Sequence, residues 1–252
     1  MTRVAWCADA DAVAHLLVDR LDDELHVGDA DGHHLQRVRR LRAGELITAA
    51  DGAGLWREYT ITATEPGALT LEARAGPATE PTLDPPLRVA CALTKGEHPD
   101  AVVRHCTELG VDAVLLAIAA RSVVRWDTDR AERALARLRR VAREAAGQCH
   151  RARLLTVESA VPLTDLAGEP GLVVADRVGP PAQLLPAPPP TGWLVVIGPE
   201  GGLTADEHHR LGDPPRLGVG PHVLRAETAA LAAAAALTGH RQLRTPDRPP
   251  SS

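Results

Sequence analysis

Several residue types are nearly absent from this sequence of 252 residues. It contains no Phe, one Tyr and one Met, and Lys95 is the single Lys among 28 cationic Lys and Arg residues. The accompanying abundance of Ala, Pro and Gly indicates a GC-rich genome. Because an ammonium and a planar guanidinium are not interchangeable at a binding site, Lys95 is a candidate functional residue.

Other absences narrow the class of protein. The four cysteines, Cys7, Cys91, Cys106 and Cys149, are widely spaced and form no C-x-x-C pair, so we expect no zinc or other metal site. No apolar run is long enough to span a membrane, and the first residues lack the apolar segment of a secretory signal. We therefore expect a cytoplasmic protein with reduced thiols and no membrane association. The net charge of −5 argues against a globally basic surface and leaves room for local basic patches.

The first third of the chain is predicted to be mainly β. Residues 44–50, 55–63 and 69–74 alternate between apolar and polar side chains and are separated by glycine-containing turns. This pattern predicts an antiparallel meander, and a meander of this size suggests a small barrel. A short basic helix is predicted at 33–42. The Pro-rich stretch after the third strand is the best domain boundary, so we predict a barrel domain at 1–76 and a linker at 77–86.

The remaining chain alternates between strand and helix patterns. Strands are predicted at 87–93, 111–119, 172–175, 193–197 and 217–220, and helices at 99–109, 129–149 and 228–237. Such alternation is typical of an α/β domain with a largely parallel sheet. We assign this domain residues 87–242, followed by a disordered tail at 243–252. The last helix is apolar all round, so we expect it to be buried, either within the chain or against another subunit.

A glycine-rich stretch, "VVIGPEGGLTADE" (residues 195–207), follows one of these strands. Thr204 and Glu207 have the spacing of a capping box, so the stretch predicts a strand, a tight loop and a helix start. The loop lacks the Lys of a P-loop and the spacing of a G-x-G-x-x-G motif. It contains Glu200, which suits a cation or a ribose hydroxyl better than a phosphate.

A second stretch, "RLGVGPHVLRAET" (residues 216–228), has the same order of strand, glycine-containing loop and helix. Two such loops at the carboxyl ends of neighbouring parallel strands are expected to form one crevice, where open α/β sheets bind ligands. The crevice would offer main-chain groups and apolar walls. This combination favours a flat heterocycle with a ribose.

These stretches resemble a known family. "IGPEGGLTADE" followed by "LGVGPHVLRAETAALAAAAAL" is similar to the C-terminal signature of RsmE-type ribosomal RNA small-subunit methyltransferases, of the SPOUT superfamily. "LTKGEHPDAVVRHCTELGVDAVLLAIAARSVVRW", "REAAGQCHRAR" and "GHHLQRVRRLRAGELITAADGAG" resemble its other segments, the last being its PUA-like barrel. The resemblance covers almost the whole chain.

The resemblance implies a fold, a cofactor and a reaction. It implies a SPOUT-type α/β domain with a C-terminal trefoil knot after a PUA-like β-barrel, acting as a homodimer. The enzyme would use S-adenosyl-L-methionine to methylate N3 of a uridine in 16S ribosomal RNA, near the decoding centre of the small ribosomal subunit. The expected cofactor contacts lie on the two loops: Ile197, Gly198, Pro199, Glu200, Gly201, Gly202, Leu217, Gly218, Gly220, Val223, Leu224 and Arg225.

Methylation of an imide nitrogen needs a charge stabiliser and a proton acceptor. The charge of deprotonated uracil spreads onto its oxygens, and a guanidinium there would act like an oxyanion hole. Arg225, at the end of the second loop, is the candidate. Glu227 or Glu200 would take the proton if burial made it basic enough. Each of the three also has a structural interpretation, as a helix cap or a loop brace.

RNA binding requires phosphate neutralisation, for which clusters of basic residues are the sequence signal. Clusters occur at 33–42, at 121–125 and along the helix predicted at 129–149. The candidate RNA contacts are Arg37, Arg40, Lys95, Arg121, Arg125, Arg137, Arg140, Gln148 and Arg151.

Two alternatives remain at this stage. Departures from the family pattern at His98, Asp100, Gly147 and His222 allow a SPOUT methyltransferase that acts on a different RNA. A non-catalytic RNA-binding assembly factor is the alternative from another class, and the intact cofactor loop argues against it.

Overall fold

A computed structural model describes residues 3–28, 41–93, 98–122 and 128–242. These residues divide into two compact units. The first contains the chain up to Thr82 together with Ala146–Leu154, and the second contains Leu83–Ala145 and the chain from Leu155 onward. The division falls inside the segment predicted as a linker, 77–86, and the predicted domain bounds stay a prediction.

The first unit is built on a seven-stranded sheet. Its strands are β1 (Arg3–Val4), β2 (Ala14–Leu17), β3 (Glu24–Val27), β4 (Leu46–Ala50), β5 (Leu55–Glu65), β6 (Ala68–Ala73) and β7 (Ala78–Thr79). The predicted meander is confirmed, because β4 pairs antiparallel with β5, and β5 with β6. The sequence pattern did not predict β1, β2, β3 or β7, and β7 lies within the predicted linker, 77–86. The helix predicted at 33–42 falls largely outside the described residues.

The core of this unit is formed by alternate residues of its strands. Ile47, Tyr59, Ile61 and Leu71 are all at most 1% exposed and pack in one cluster. Their spacing of two residues within a strand puts them on one face of the sheet. The alternation in the sequence therefore reflects the burial of one face of the sheet.

The second unit contains a six-stranded sheet in which every pairing is parallel. Its strands are β8 (Leu87–Ala92), β9 (Ala113–Ile118), β10 (Thr156–Pro162), β11 (Leu172–Asp176), β12 (Trp193–Ile197) and β13 (Arg216–Gly218). Their spatial order is β10-β9-β8-β12-β11-β13. The predicted α/β class with a parallel sheet is confirmed, and β10 is the strand that sequence analysis missed.

Four α-helices accompany this sheet in the described residues. They are α1 (His98–Glu108), α2 (Thr128–Cys149), α3 (Ala205–Arg210) and α4 (Ala226–Gln242). The last residues of α2 belong to the first unit. Alternate residues of the strands pack into two separate apolar clusters, as Val195 and Val196 do in β12. Both faces of the sheet are therefore covered, which explains why its strands are continuous apolar runs.

Helix α4 is longer than the Ala-rich segment from which it was predicted. Ala230, Ala233, Ala234 and Leu237 are fully buried, and the helix contacts α1, β8 and β12. Thr228, Ala235 and Gly239 are exposed. The predicted burial thus holds for one face, against the same chain.

The two glycine loops follow β12 and β13, and both leave the carboxyl edge of the parallel sheet. The expectation that these strands are neighbours was wrong, because β11 lies between them. The carboxyl end of β11 therefore lies between the two loops, at the same edge of the sheet. The trefoil knot stays a prediction.

Candidate functional site

The first loop begins where β12 ends. All five residues of β12 are buried, and the chain then turns so that the Gly202 N–H donates to the Pro199 carbonyl at 2.7 Å. Gly202 has a φ of +67°, a conformation that favours glycine. Pro199 is buried, whereas Glu200 and Gly201 are exposed. The loop thus presents its main chain and one carboxylate on the surface.

The predicted capping box at the start of α3 is confirmed. The Glu207 N–H donates to Thr204 Oγ1 at 3.1 Å, and the Thr204 N–H donates to Glu207 Oε2 at 2.8 Å. The other carboxylate oxygen, Oε1, accepts the N–H of Ala120 at 2.7 Å. Burial by itself would raise the pKa of Glu207, but the bonds from Thr204 and Ala120 and the charge of Arg121 outweigh it and lower the pKa. Glu207 is therefore an ionised anchor between the helix and the chain after β9.

Arg121 lies against the same loop. Its Nη1 donates to the carbonyl of Gly201, and a Cβ built on Gly201 would lie 3.2 Å from Arg121 Cδ. The sequence predicted Arg121 as an RNA contact. The structure brings its side chain to the first glycine loop, a contact that sequence reasoning missed.

The second loop is held by the chain after β11. The Gly218 N–H donates to the Pro180 carbonyl at 2.7 Å, and the Val219 N–H donates to the Asp176 carbonyl at 3.3 Å. A Cβ on Gly218 would lie 2.3 Å from the Gly179 carbonyl oxygen. The two main chains therefore touch directly, which only glycine allows. The Gly-Pro pair after the predicted strand 172–175 was a signal for this third segment.

After Gly218 the chain continues through the second loop to the start of α4. Leu217 is fully buried and Leu224 is half-buried, but Val223 is 81% exposed. The carbonyl of Arg225 accepts the N–H of Ala229 at 2.8 Å, so its main chain is fixed at the first turn of the helix. The side chain of Arg225 is exposed and is available to a ligand.

The two candidate proton acceptors, Glu227 and Glu200, both influence the pKa of one buried thiol. Cys91 is 5% exposed near the carboxyl end of β8. Burial raises the pKa of its thiol to about 12, and the negative charges of Glu227 and Glu200 add to the increase. Both carboxylates therefore project negative potential toward the carboxyl ends of the central strands.

The predicted RNA contacts have mixed outcomes. Arg37, Arg40, Lys95 and Arg125 lie outside the described residues. Arg137 Nη1 donates to Asp100 Oδ2 at 2.8 Å and joins α1 to α2. Arg140 lies 3.8 Å from Glu144 in an exposed pair, Gln148 is exposed and Arg151 is half-buried. An RNA role for each of these residues stays a prediction.

Two absences concern the described ranges. No helix there is both long and apolar enough to cross a membrane. No group of three or more metal-ligating side chains occurs in that part of the chain.

Several known proteins are similar to this chain in sequence and in fold. The profile of a family described as "RNA methyltransferase domain" matches residues 82–238, and that of "RNA methyltransferase PUA domain" matches residues 27–73. A Mycobacterium bovis protein named ribosomal RNA small subunit methyltransferase E is 34% identical over 87% of this chain and 89% of its own length. The Bacillus subtilis protein of the same name is 30% identical over 84% and 88%.

A solved structure is also similar to this chain in fold. The ribosomal RNA small subunit methyltransferase E from Neisseria gonorrhoeae, bound to S-adenosyl methionine, has a TM-score of 0.78 and 25% identity. The match covers 90% of this chain and 97% of that one. The sequence and the overall fold agree, and the chain belongs to the ribosomal RNA small subunit methyltransferase E family of SPOUT RNA methyltransferases.

Proposed function

We propose that this protein methylates N3 of a uridine in 16S ribosomal RNA, near the decoding centre, with S-adenosyl-L-methionine as the methyl donor. The observation that carries the proposal is the pair of glycine loops at the carboxyl edge of the sheet, with carboxylates beside them. A relative of the same fold is bound to S-adenosyl methionine. The uridine and its position follow from the family resemblance alone.

The side chains and main chain of the two loops fit this cofactor. Gly201 and Gly202 are exposed, and a Cβ built on Gly202 has no heavy atom within 4 Å, so a ligand can approach the main chain. Glu200 and Glu227 supply negative charge, which favours a sulfonium cation. Val223 offers an exposed apolar surface for a flat base. The residues that would hold the cofactor are Ile197, Gly198, Pro199, Glu200, Gly201, Gly202, Leu217, Gly218, Gly220, Val223, Leu224 and Arg225.

When bound, S-adenosyl-L-methionine supplies a methyl group that is already activated for in-line displacement. The chain must then prepare the acceptor. Arg225 would stabilise the negative charge on the uracil oxygens through its planar donors. Glu227 or Glu200 would accept the imide proton, and Glu227 is the more shielded of the two.

Assembly and location complete the proposal. We propose a homodimer, because the family works as one and because Val178, Leu184 and Val223 of the second unit are exposed apolar residues. The exposed face of α4 carries small side chains, so a second subunit could pack closely against it. Sedimentation at micromolar concentration should show a dimer, and a monomer would contradict this part. A ribosomal RNA substrate supports a cytoplasmic location, which we propose.

One experiment tests the function directly. The gene is deleted, and the modifications of ribosomal RNA are mapped by mass spectrometry with and without a restored copy. We expect one N3-methyluridine in 16S RNA to disappear and to return with the gene. Loss of a methyl group from another RNA would support the alternative substrate, and unchanged RNA would support a non-catalytic assembly factor.

Purified protein separates the possible substrates. Naked 16S RNA and assembled small subunits are each incubated with the protein and labelled S-adenosyl-L-methionine. Methyl transfer to either at the same uridine supports the proposal. Absence of cofactor binding by calorimetry would refute it.

A further inference from the structure

The cofactor loop is held by an arginine that the sequence predicts as an RNA contact. Arg121 reaches across Gly201, so that its Nη1 donates to the Gly201 carbonyl. Its aliphatic stem covers the side of the glycine where a Cβ would point, at 3.2 Å. Both the head and the stem of the side chain are therefore engaged by the loop.

The residue before Arg121 makes a second connection. The Ala120 N–H donates to Glu207 Oε1 at 2.7 Å, and Glu207 is 4% exposed. Its Oε2 accepts both the N–H and the hydroxyl of Thr204, at 2.8 and 3.0 Å. Two consecutive residues after β9 thus hold the middle of the loop and the start of α3.

The loop needs such a support. The Gly202 N–H to Pro199 carbonyl bond closes its tight turn, but that bond lies within the loop and does not connect it to the sheet. Gly201 and Gly202 are exposed and lack side chains that could pack. A glycine loop without external contacts samples many conformations, and ordering it on binding reduces affinity.

We propose that Arg121 is a positioning residue for the cofactor: it holds the Gly201 carbonyl and so keeps the glycine-rich loop in its binding conformation. This inference rests on the proposed function, in which the loop binds S-adenosyl-L-methionine. Arg121 acts through the loop and does not itself touch the reacting atoms. Its loss lowers the fraction of binding-competent protein, and the apparent affinity falls by that fraction.

The test measures cofactor affinity in the absence of RNA. Calorimetry with S-adenosyl-L-methionine compares the wild type with Arg121→Met, Arg121→Lys and a control, Arg104→Met. Arg104 is an exposed arginine on α1, so the control removes the same charge from the same unit. We expect Kd to rise roughly tenfold in Arg121→Met, the size typical of a lost hydrogen bond from a charged donor. Arg121→Lys should restore most of the affinity, because its ammonium can donate to the same carbonyl, and the control should match the wild type.

Kinetics distinguish positioning from catalysis. In Arg121→Met, KM for the cofactor should rise in step with Kd, and kcat at saturating cofactor should stay within roughly twofold of the wild type. RNA affinity should fall no more than in Arg104→Met. Since Arg121 is exposed, we expect the variant to fold; Arg121→Leu, which also lacks a donor, has the same expected result and replaces it otherwise.

Three results would overturn the inference. Normal cofactor affinity with a specific loss of RNA affinity would make Arg121 a phosphate contact. A fall in kcat at unchanged Kd would make it a catalytic residue. Normal cofactor affinity and kinetics would leave it no role in positioning. Failure of the wild type to bind the cofactor is a different outcome, because it refutes the proposed function itself.

Discussion

Arg241 Nη1 lies 3.0 Å from Asp112 Oδ2, and the arginine side chain is completely buried while the aspartate is 42% exposed. The guanidinium also donates to the carbonyls of Pro85 and Gly110, and Asp112 Oδ2 accepts the N–H of Leu87 at 2.8 Å. Burial lowers the pKa of Arg241, although the charge and the hydrogen bond of Asp112 oppose the shift. This pair connects the end of α4 to the residue before β9 and, through the Leu87 N–H, to the start of β8.

The pair predicts an asymmetry between two substitutions. Asp112→Asn should cost about 3 kcal/mol of unfolding free energy, because it removes the negative charge that is hydrogen-bonded to a buried cation. Arg241→Met should cost less, about 1–2 kcal/mol, because water can reach the remaining carboxylate. Denaturant unfolding of both variants checks this. An equal cost, or a larger cost for Arg241→Met, would contradict the assignment.

The second prediction concerns the main-chain contact at the site. Gly218→Ala would place a Cβ 2.3 Å from the Gly179 carbonyl oxygen, so one strand or loop must move. We expect a loss of about 2 kcal/mol or more, together with loss of cofactor binding. Gly239→Ala is the matched control, because its Cβ meets no atom within 4 Å on an exposed helical position. It should leave binding unchanged and stabilise α4 by up to about 1 kcal/mol.

The third prediction concerns pH. His15 is 6% exposed, its Nδ1 lies 2.8 Å from Thr48 Oγ1, and its ring stacks on His150 at 5.7 Å. Burial, with a smaller contribution from the charge of His150, lowers its pKa from 6.5 to about 4. The unfolded chain therefore binds more protons between these two pH values. The contribution of His15 to stability is complete above pH 6.5 and is lost as the pH falls toward 4.

The size of that loss is measurable. The shift corresponds to about 3 kcal/mol over the whole window. Unfolding free energies of the wild type and of His15→Gln, measured across the window, should show a steeper decline with acid in the wild type. Because all other groups titrate in both proteins, parallel curves would show that His15 does not cause the decline.

The fourth prediction separates binding from chemistry at Arg225. Arg225→Lys keeps the charge but loses the planar fork. If Arg225 stabilises the uridine anion, cofactor affinity should stay near the wild-type value while the single-turnover rate falls roughly 100- to 1,000-fold. The rate should also depend more strongly on high pH. A parallel fall of affinity and rate would indicate a bracing role, and an unchanged rate would remove Arg225 from the mechanism.

Local signals explain what the sequence could predict. The predicted bounds of β12, Trp193–Ile197, and the predicted capping box at Thr204 and Glu207 match the structure. The signals for them, an apolar run, the glycines after it and the cap, each lie within a few consecutive residues. The two glycine loops could likewise be recognised from their repeated order of strand, glycines and helix.

Contacts between distant segments could not be predicted in the same way. Nothing near Arg121 in the sequence distinguishes a phosphate contact from a bond to a carbonyl 80 residues away. In the sequence, Arg137 is indistinguishable from the other arginines on the basic face of its helix, yet in the structure it pairs with Asp100. The insertion of β11 between β12 and β13 is a property of topology, which strand patterns do not encode.

The contact between Gly179 and Gly218 has an evolutionary consequence. A Cβ on Gly179 would lie 2.6 Å from the Gly218 nitrogen, and the reverse substitution is closer still. Both partners are main chain, so no second substitution can make room for the first. A substitution of either glycine therefore cannot be neutral. A second substitution at the other position cannot compensate for it. We expect every functional descendant of this chain to keep both glycines, however far its side chains diverge.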